Sequence, residues 1–186
     1  MKVDIFNTEN KYQIIYADPP WQYNDRMKMK GIHGEIRGAE SFYNTMSLEN
    51  IRALPIERIS ANNAILFMWI TMPLLDKAFE TMQAWGFTYK TCGFCWIKRT
   101  KMGRIHLGMG HYTRGNAELC LIGIKTKKPQ FQTKSMSQIV ESEIRKHSQK
   151  PDEVRNKIVE LCGDIPRIEL FARQEFDGWD CWGNEV

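Results

Sequence analysis

Apolar residues along the 186-residue chain gather in short, nearly unbroken runs instead of alternating stripes. Tyr12–Ala17, Ala64–Ile70, Thr88–Ile97, Glu118–Ile124 and Arg167–Phe171 each read as a strand, several of them buried on both faces, because a half-buried strand would alternate apolar and polar positions. Between these runs the pattern turns helical. Ser47 is placed to cap a helix over Leu48–Leu54, Pro73 stands near the start of a second that stops at Gly86, and Pro151-Asp152-Glu153 opens a third that ends at Gly163. Gly178–Trp182 suits a last short strand or a packed tail. The alternation predicts an α/β fold with a mostly parallel central sheet flanked by helices. In such sheets ligands gather beyond the carboxyl ends of the strands. Asp18 to Trp21 follow the first strand directly, and Ala172-Arg173 follow the Arg167–Phe171 strand, so two polar sites are expected to open on one edge.

A hydrophobic fraction of 42% over this length suits one domain spanning 1–186, with polar segments near 22–42, 98–117 and 125–150 read as mobile loops. The first is long against the usual median of about 4–6 residues, as lids and binding loops are. The N-terminus is polar and the strongest apolar run, Ala64–Ile70, is far too short to cross a bilayer, so a soluble, cytoplasmic protein is expected. The five cysteines read as buried thiols: Cys92 and Cys95 match CxxC spacing, but within a strand-like run and without a second pair. His33, His106, His111 and His147 lack ligand spacing, and no metal is expected.

The net charge of +4 is unevenly spread: the three polar segments hold 16 of the 26 Lys and Arg but only 5 of the 22 Asp and Glu. Lys98, Arg99, Lys101, Arg104 and Arg114 follow one another with no acid among them, as on a rim that binds a polyanion. Solvated loops would carry charge too, but the acid-free basic run favours the nucleic-acid reading.

The candidate chemistry lies in Ala17-Asp18-Pro19-Pro20-Trp21. A strand ends at a carboxylate, two prolines stiffen the backbone and leave carbonyls without amides, and an aromatic follows. That corner suits the exocyclic amine of adenine, a poor nucleophile because its lone pair is delocalised into the ring. If Asp18 accepts one N–H and the Pro19 carbonyl the other, the nitrogen is drawn toward tetrahedral geometry and can attack an electrophilic methyl group. Trp21, or a neighbouring aromatic, would stack on the base. The amine of cytosine poses the same problem. A base within a duplex would have to be flipped out to reach the corner.

The sequence resembles the DPPW-type adenine-N6 methyltransferases, the family of the catalytic subunit of the eukaryotic messenger-RNA N6-adenosine writer and of small bacterial and phage enzymes. Beyond the corner, the resemblance runs through Tyr43-Asn44-Thr45-Met46-Ser47, Gly110-His111-Tyr112, Glu118 to Gly123, His147 to Glu153, Ile168 to Arg173 and Trp182-Gly183-Asn184-Glu185. It implies a Rossmann-like methyltransferase fold in permuted order, the catalytic motif ahead of the main cofactor strand. It implies S-adenosylmethionine as methyl donor, S-adenosylhomocysteine as product and no metal. Asp18 and Pro19 would hold the target amine, with Pro20 completing the corner and Trp21 and Tyr43 shaping the base pocket. Lys150 would lie near the cofactor carboxylate, Asp18 would touch the cofactor as well as the amine, Glu169, Phe171, Arg173, Asn184 and Glu185 would lie around its ribose, and Asp4 and Ile5 by its adenine. His111 would join the basic rim.

The resemblance leaves three readings. A compact member without a separate target-recognition domain resembles prokaryotic or phage enzymes and points to adenine in DNA, acting in a bacterial or phage-infected cell. RNA is the near alternative, because the corner recognises a base and not a sugar. A non-catalytic nucleic-acid-binding subunit of the same fold is the third, and the intact corner speaks against it. Substrate binding would rest on the basic loops alone, on a second copy as a homodimer, or on a partner protein.

Overall fold

The computed structural model describes residues 1–22, 45–110, 112–126, 131–145 and 149–186. Tyr43, His111 and nearly all of the 22–42 segment lie outside the described residues. The strands are β1 (Tyr12–Ala17), β2 (Ser60–Ile70), β3 (Thr88–Arg99), β4 (Ala117–Ile124), β5 (Ile139–Glu143), β6 (Arg167–Leu170) and β7 (Asp180–Trp182). They form one sheet in the order β5-β3-β4-β2-β1-β6-β7. Every pairing is parallel except the two made by β4, so six strands point the same way and β4 alone opposes them. The mostly parallel sheet expected from the apolar runs is present, and Gly178–Trp182 supplies its edge strand.

Among the described residues four helices cover the faces: α1 (Leu48–Arg52), α2 (Ile56–Ile59), α3 (Leu75–Ala84) and α4 (Glu153–Cys162). Ser47 caps α1 by accepting from the Asn50 amide at 3.2 Å. A 3-10 turn containing Pro73 leads into α3, and Gly86, with φ of 78°, turns the chain out of it. Gly163, with φ of 92°, does the same after α4. These starts and stops follow the sequence signals within a residue or two.

The sheet separates two buried layers. Ile15, Ala17, Leu66, Met68 and Ile70 face α1, α2 and α3, while Tyr16, Phe67, Trp69, Phe94 and Trp96 face the side where Val154, Ile158 and Cys162 of α4 pack. Successive residues of β1 and β2 thus serve opposite layers, which is why both strands read as continuous apolar runs. The polar tips of the aromatics are satisfied: Trp69 Nε1 donates to the Tyr16 hydroxyl at 2.7 Å and Trp85 Nε1 to the Ile51 carbonyl at 2.9 Å.

Two expectations change. The segment 125–150, read as a loop, contains β5, which pairs with the end of β3 through Cys95↔Ile139 to Arg99↔Glu143. As an edge strand it buries only Val140, so Ser137, Glu141, Ser142 and Glu143 disguise it as polar connection. Likewise Lys98 and Arg99 are the last residues of β3 and not part of a loop. Cys92 and Cys95 lie in β3 as free thiols, and no group of three metal-binding side chains occurs among the described residues. No described helix is long and apolar enough to cross a membrane.

Candidate active site

The carboxyl ends of β1, β2, β3 and β6 meet the amino end of β4 along one edge, because β4 alone is reversed. Ala17 pairs with Met68 on one side and Leu170 on the other, so Asp18 leaves the middle of the sheet flanked by two strands. Pro19 and Pro20 then end the ladder, since neither has an amide to donate. The turn is tight: Trp21 N donates to the Pro19 carbonyl at 2.8 Å, and Met46 N to the Pro20 carbonyl at 3.0 Å. Trp21 does not offer its ring to solvent. It is 5% exposed, packs in the layer of Ile15 and Met68, and donates its indole N–H to the Trp69 carbonyl at 3.1 Å. The indole therefore braces the corner from behind.

Asp18 is met by Lys150 from the segment leading into α4. The Lys150 ammonium lies 2.8 Å from the Asp18 carboxylate and 3.3 Å from Glu118 Oε2, and Lys98 pairs with the other Glu118 oxygen. Lys98, Glu118, Lys150 and Asp18 form a row of alternating charge along the strand ends. Lys150 is 7% and Glu118 8% exposed, and Trp69 underlies the ammonium with its ring centroid 5.8 Å away.

Burial pulls the acids one way and the cations the other. At Asp18 burial outweighs Lys150, and its carboxyl is held above the ordinary value of 3.8. At Glu118 burial also acts upward, but two cations, Lys150 and Lys98, win and hold it below the ordinary range. Lys150 is kept protonated well above 10.5, because the two carboxylates overcome the cost of burying it.

Residues expected around the cofactor fall in two places. Glu169 of β6 is buried and takes both its hydrogen bonds from Arg155 of α4, at 2.6 Å each. Arg173 instead lies 3.6 Å from Glu185. Phe171 adopts φ of 62°, an uncommon conformation for a bulky side chain, and its ring meets Trp182 edge-on at 5.4 Å. Ala172 N donates to the Trp182 carbonyl, and at Gly183 a Cβ would lie 2.1 Å from the Ala172 carbonyl oxygen, so only glycine permits this approach. Asn184 is exposed just beyond. The N-terminal segment runs beside β7 through a bridge between Lys2 and Cys181. Asp4 is exposed and accepts from the Phe6 amide at 2.9 Å, whereas Ile5 is fully buried.

The expected basic rim divides. Lys98 belongs to the row of alternating charge and Arg99 pairs with Glu141 at 2.9 Å, while Lys101 and Arg104 stand exposed at a turn that contains Gly103 with φ of 72°, and Arg114 is exposed further along the chain.

The sequence reading gives no role to Arg155 or Glu118, although both carry a signal. Glu118 shares the inward face of β4 with Cys120, Ile122 and Ile124. Arg155 interrupts the buried stripe of α4 that includes Val154, Ile158 and Cys162. An ionisable side chain in a buried position requires a partner of opposite sign.

A sheet with one reversed strand and a carboxylate-bearing Pro-Pro corner ahead of the Glu169 strand agrees with the permuted, Rossmann-like methyltransferase fold that the resemblance implies. The chain belongs to the MT-A70 family, whose model matches residues 12–185. It is 36% identical over 188 residues to the type II methyltransferase M.MunI of a Mycoplasma species, covering 95% of this chain and 78% of that protein. It is 30% identical to a putative MT-A70-like N(6)-adenosine-methyltransferase of Medicago truncatula, over 95% of this chain and 26% of the relative. Against the human N(6)-adenosine-methyltransferase catalytic subunit METTL3 the identity is 28%, over 95% of this chain and 28% of the relative. The chain thus spans most of the Mycoplasma protein and about a quarter of the plant and human ones.

Proposed function

We propose that this chain methylates the exocyclic N6 of adenine in DNA, and that Asp18 and the Pro19 carbonyl hold the amine. The observation that carries this reading is the row of alternating charge ending at Asp18 beside a braced Pro-Pro turn. Asp18 accepts one N–H of the amine, and the Pro19 carbonyl, which keeps a second lone pair beyond its bond to Trp21 N, accepts the other. The nitrogen lone pair is thereby withdrawn from the ring, and the proton it later sheds passes to Asp18 or to water. Lys150 and Glu118 fix the Asp18 carboxylate in place, so little reorganisation accompanies the reaction.

The polar groups along this edge fit S-adenosylmethionine: an ammonium and carboxylates suit a zwitterionic amino acid, and a carboxylate and an amide suit ribose hydroxyls. When bound, S-adenosylmethionine supplies an electrophilic methyl group. Lys150 would stand toward its carboxylate, Glu169, Phe171, Arg173, Asn184 and Glu185 around its ribose, and Asp4 and Ile5 by its adenine. Tyr43 and His111 keep their proposed places at the base pocket and the rim.

DNA is favoured by the similarity to a type II methyltransferase over 78% of that protein's length. RNA is the second reading, supported by the N(6)-adenosine-methyltransferases among the relatives. Transfer of labelled methyl from S-adenosylmethionine to single-stranded DNA, double-stranded DNA and RNA, followed by nucleoside identification, tests both. N6-methyladenine in DNA is the expected product; label confined to RNA would move the substrate, and label on cytosine would overturn the choice of base.

Lys101, Arg104 and Arg114 are proposed to bind backbone phosphates. Replacing all three with Gln should lower the salt dependence of nucleic-acid binding by roughly one unit of logarithmic slope for each phosphate that a side chain had neutralised. An unchanged slope would remove them from the interface.

A further inference from the structure

Arg155 has no part in the chemistry above, yet its contacts are specific throughout. Its Nε and Nη2 donate to the two oxygens of Glu169, both at 2.6 Å, and Nη1 donates to Asp152 Oδ1 at 2.9 Å. The guanidinium carbon lies 3.7 Å from the ring centroid of Phe176 and 5.5 Å from that of Tyr16. A fork held at both prongs and packed against two rings has a single orientation available. It transmits that orientation to Glu169.

Glu169 sits within β6, opposite Tyr16 of β1 and Cys181 of β7. The groups facing it are Tyr16 of β1 and Asp18 just beyond it, Cys181 of β7, Asp152 at the N-cap of α4 and Arg155 within α4. Tyr16 and Cys181 are pushed by burial above their ordinary values and stay neutral near neutrality. Burial acts most strongly on Glu169 and lifts its carboxyl above the ordinary 4.5, Asp18 and Asp152 add to the rise, and Arg155 opposes it by hydrogen bonding and charge. A bidentate pair uses one lone pair on each carboxylate oxygen, so each keeps another for a hydroxyl donor.

We propose that Arg155 is a positioning residue for the cofactor pocket, holding Glu169 ionised and oriented so that both its oxygens can accept the ribose hydroxyls of S-adenosylmethionine. The inference rests on the placement of Glu169 at the ribose in the proposed function. α4 then serves both halves of the site: Lys150, just ahead of it, holds the carboxylate for the amine, and Arg155 in its first turn holds the carboxylate for the cofactor.

The test is calorimetric binding of S-adenosylhomocysteine to the full chain, as wild type, Arg155→Lys and Arg155→Met, across about pH 6 to 9, taking the ratio of each variant to wild type at each pH. In Arg155→Met the Glu169 carboxyl should titrate higher than in wild type, and affinity should fall by up to about tenfold for each pH unit below its new value while approaching wild type in alkali. Arg155→Lys, which keeps the charge, should recover most of the loss. Carbon-13 titration of the Glu169 carboxyl without ligand should show the same rise in Arg155→Met and guards against a variant that merely binds poorly. A ratio that is constant with pH, or an unshifted carboxyl, would overturn the positioning role while leaving the proposed function standing. Wild type that binds no S-adenosylhomocysteine at any pH would overturn the cofactor reading, and this inference with it.

Discussion

Replacing Asp18 with Asn is expected to lower methyl transfer by about 10²–10³-fold, the cost of removing one preorganised interaction with developing charge. The amide keeps the shape of the carboxylate but offers a single acceptor oxygen and no charge, so the amine remains flat. Binding of S-adenosylhomocysteine should change far less, because most of the proposed cofactor residues lie along or just beyond β6 and β7. Stability should change less than in Lys150→Met, because Lys150 keeps Glu118 at 3.3 Å and the Asp18 side chain is partly exposed. Burial outweighs Lys150 and raises the Asp18 carboxyl above 3.8. The folded protein therefore holds this proton more tightly than the unfolded chain does. Stability from this group is full below the ordinary value and is lost as pH rises through the folded one, so the ionised Asp18 is kept at some cost. The rate should accordingly fall on acidification with an apparent pKa above 3.8. Wild-type turnover in Asp18→Asn would end the proposed mechanism.

Lys150→Met should have the largest effect on stability. It leaves Asp18 facing a buried edge without its cation and Glu118 with Lys98 alone. Removing one partner of a buried ion pair costs about 3–5 kcal/mol, and urea unfolding near neutrality would measure it. The pH dependence separates electrostatics from lost packing. In the wild type the Lys150 value is raised, so its contribution is full below 10.5 and is lost only as pH rises through the folded value. In the variant the acids shift upward, and stability should return toward wild type on acidification as they are protonated. A deficit of equal size at all pH values would mean that Lys150 acts through packing and not through its charge.

The family signature lies in the chain's own order of motifs, and much of the fold is legible with it. The apolar run Tyr12–Ala17 coincides with the observed bounds of β1, and Ser47, Gly86 and Gly163 mark real helix ends. β5 escapes sequence reading because an edge strand with one buried residue carries almost no hydrophobic pattern. Lys98 reads as part of a polyanion-binding rim, and its place at the end of β3 beside Glu118 instead makes it part of the row of alternating charge. Glu169 stands close to Arg173 in sequence, whereas its partner is Arg155, 14 residues earlier on α4.

By itself the sequence determined what depends on near neighbours: where Pro19 and Pro20 end a strand, where Ser47 starts a helix, and which runs are apolar enough to be buried on both faces. Those effects act within one turn or one ladder of the backbone and need no distant residue. Tertiary structure alone decided the charge partners. Lys150 and Asp18 are 132 residues apart in the chain, and they meet because β1 lies in mid-sheet and α4 packs over it. The reversed β4 brings Glu118 to the same edge, and only that arrangement turns separate ionisable residues into one site, because a buried charge is tolerated only where the fold supplies its counterion.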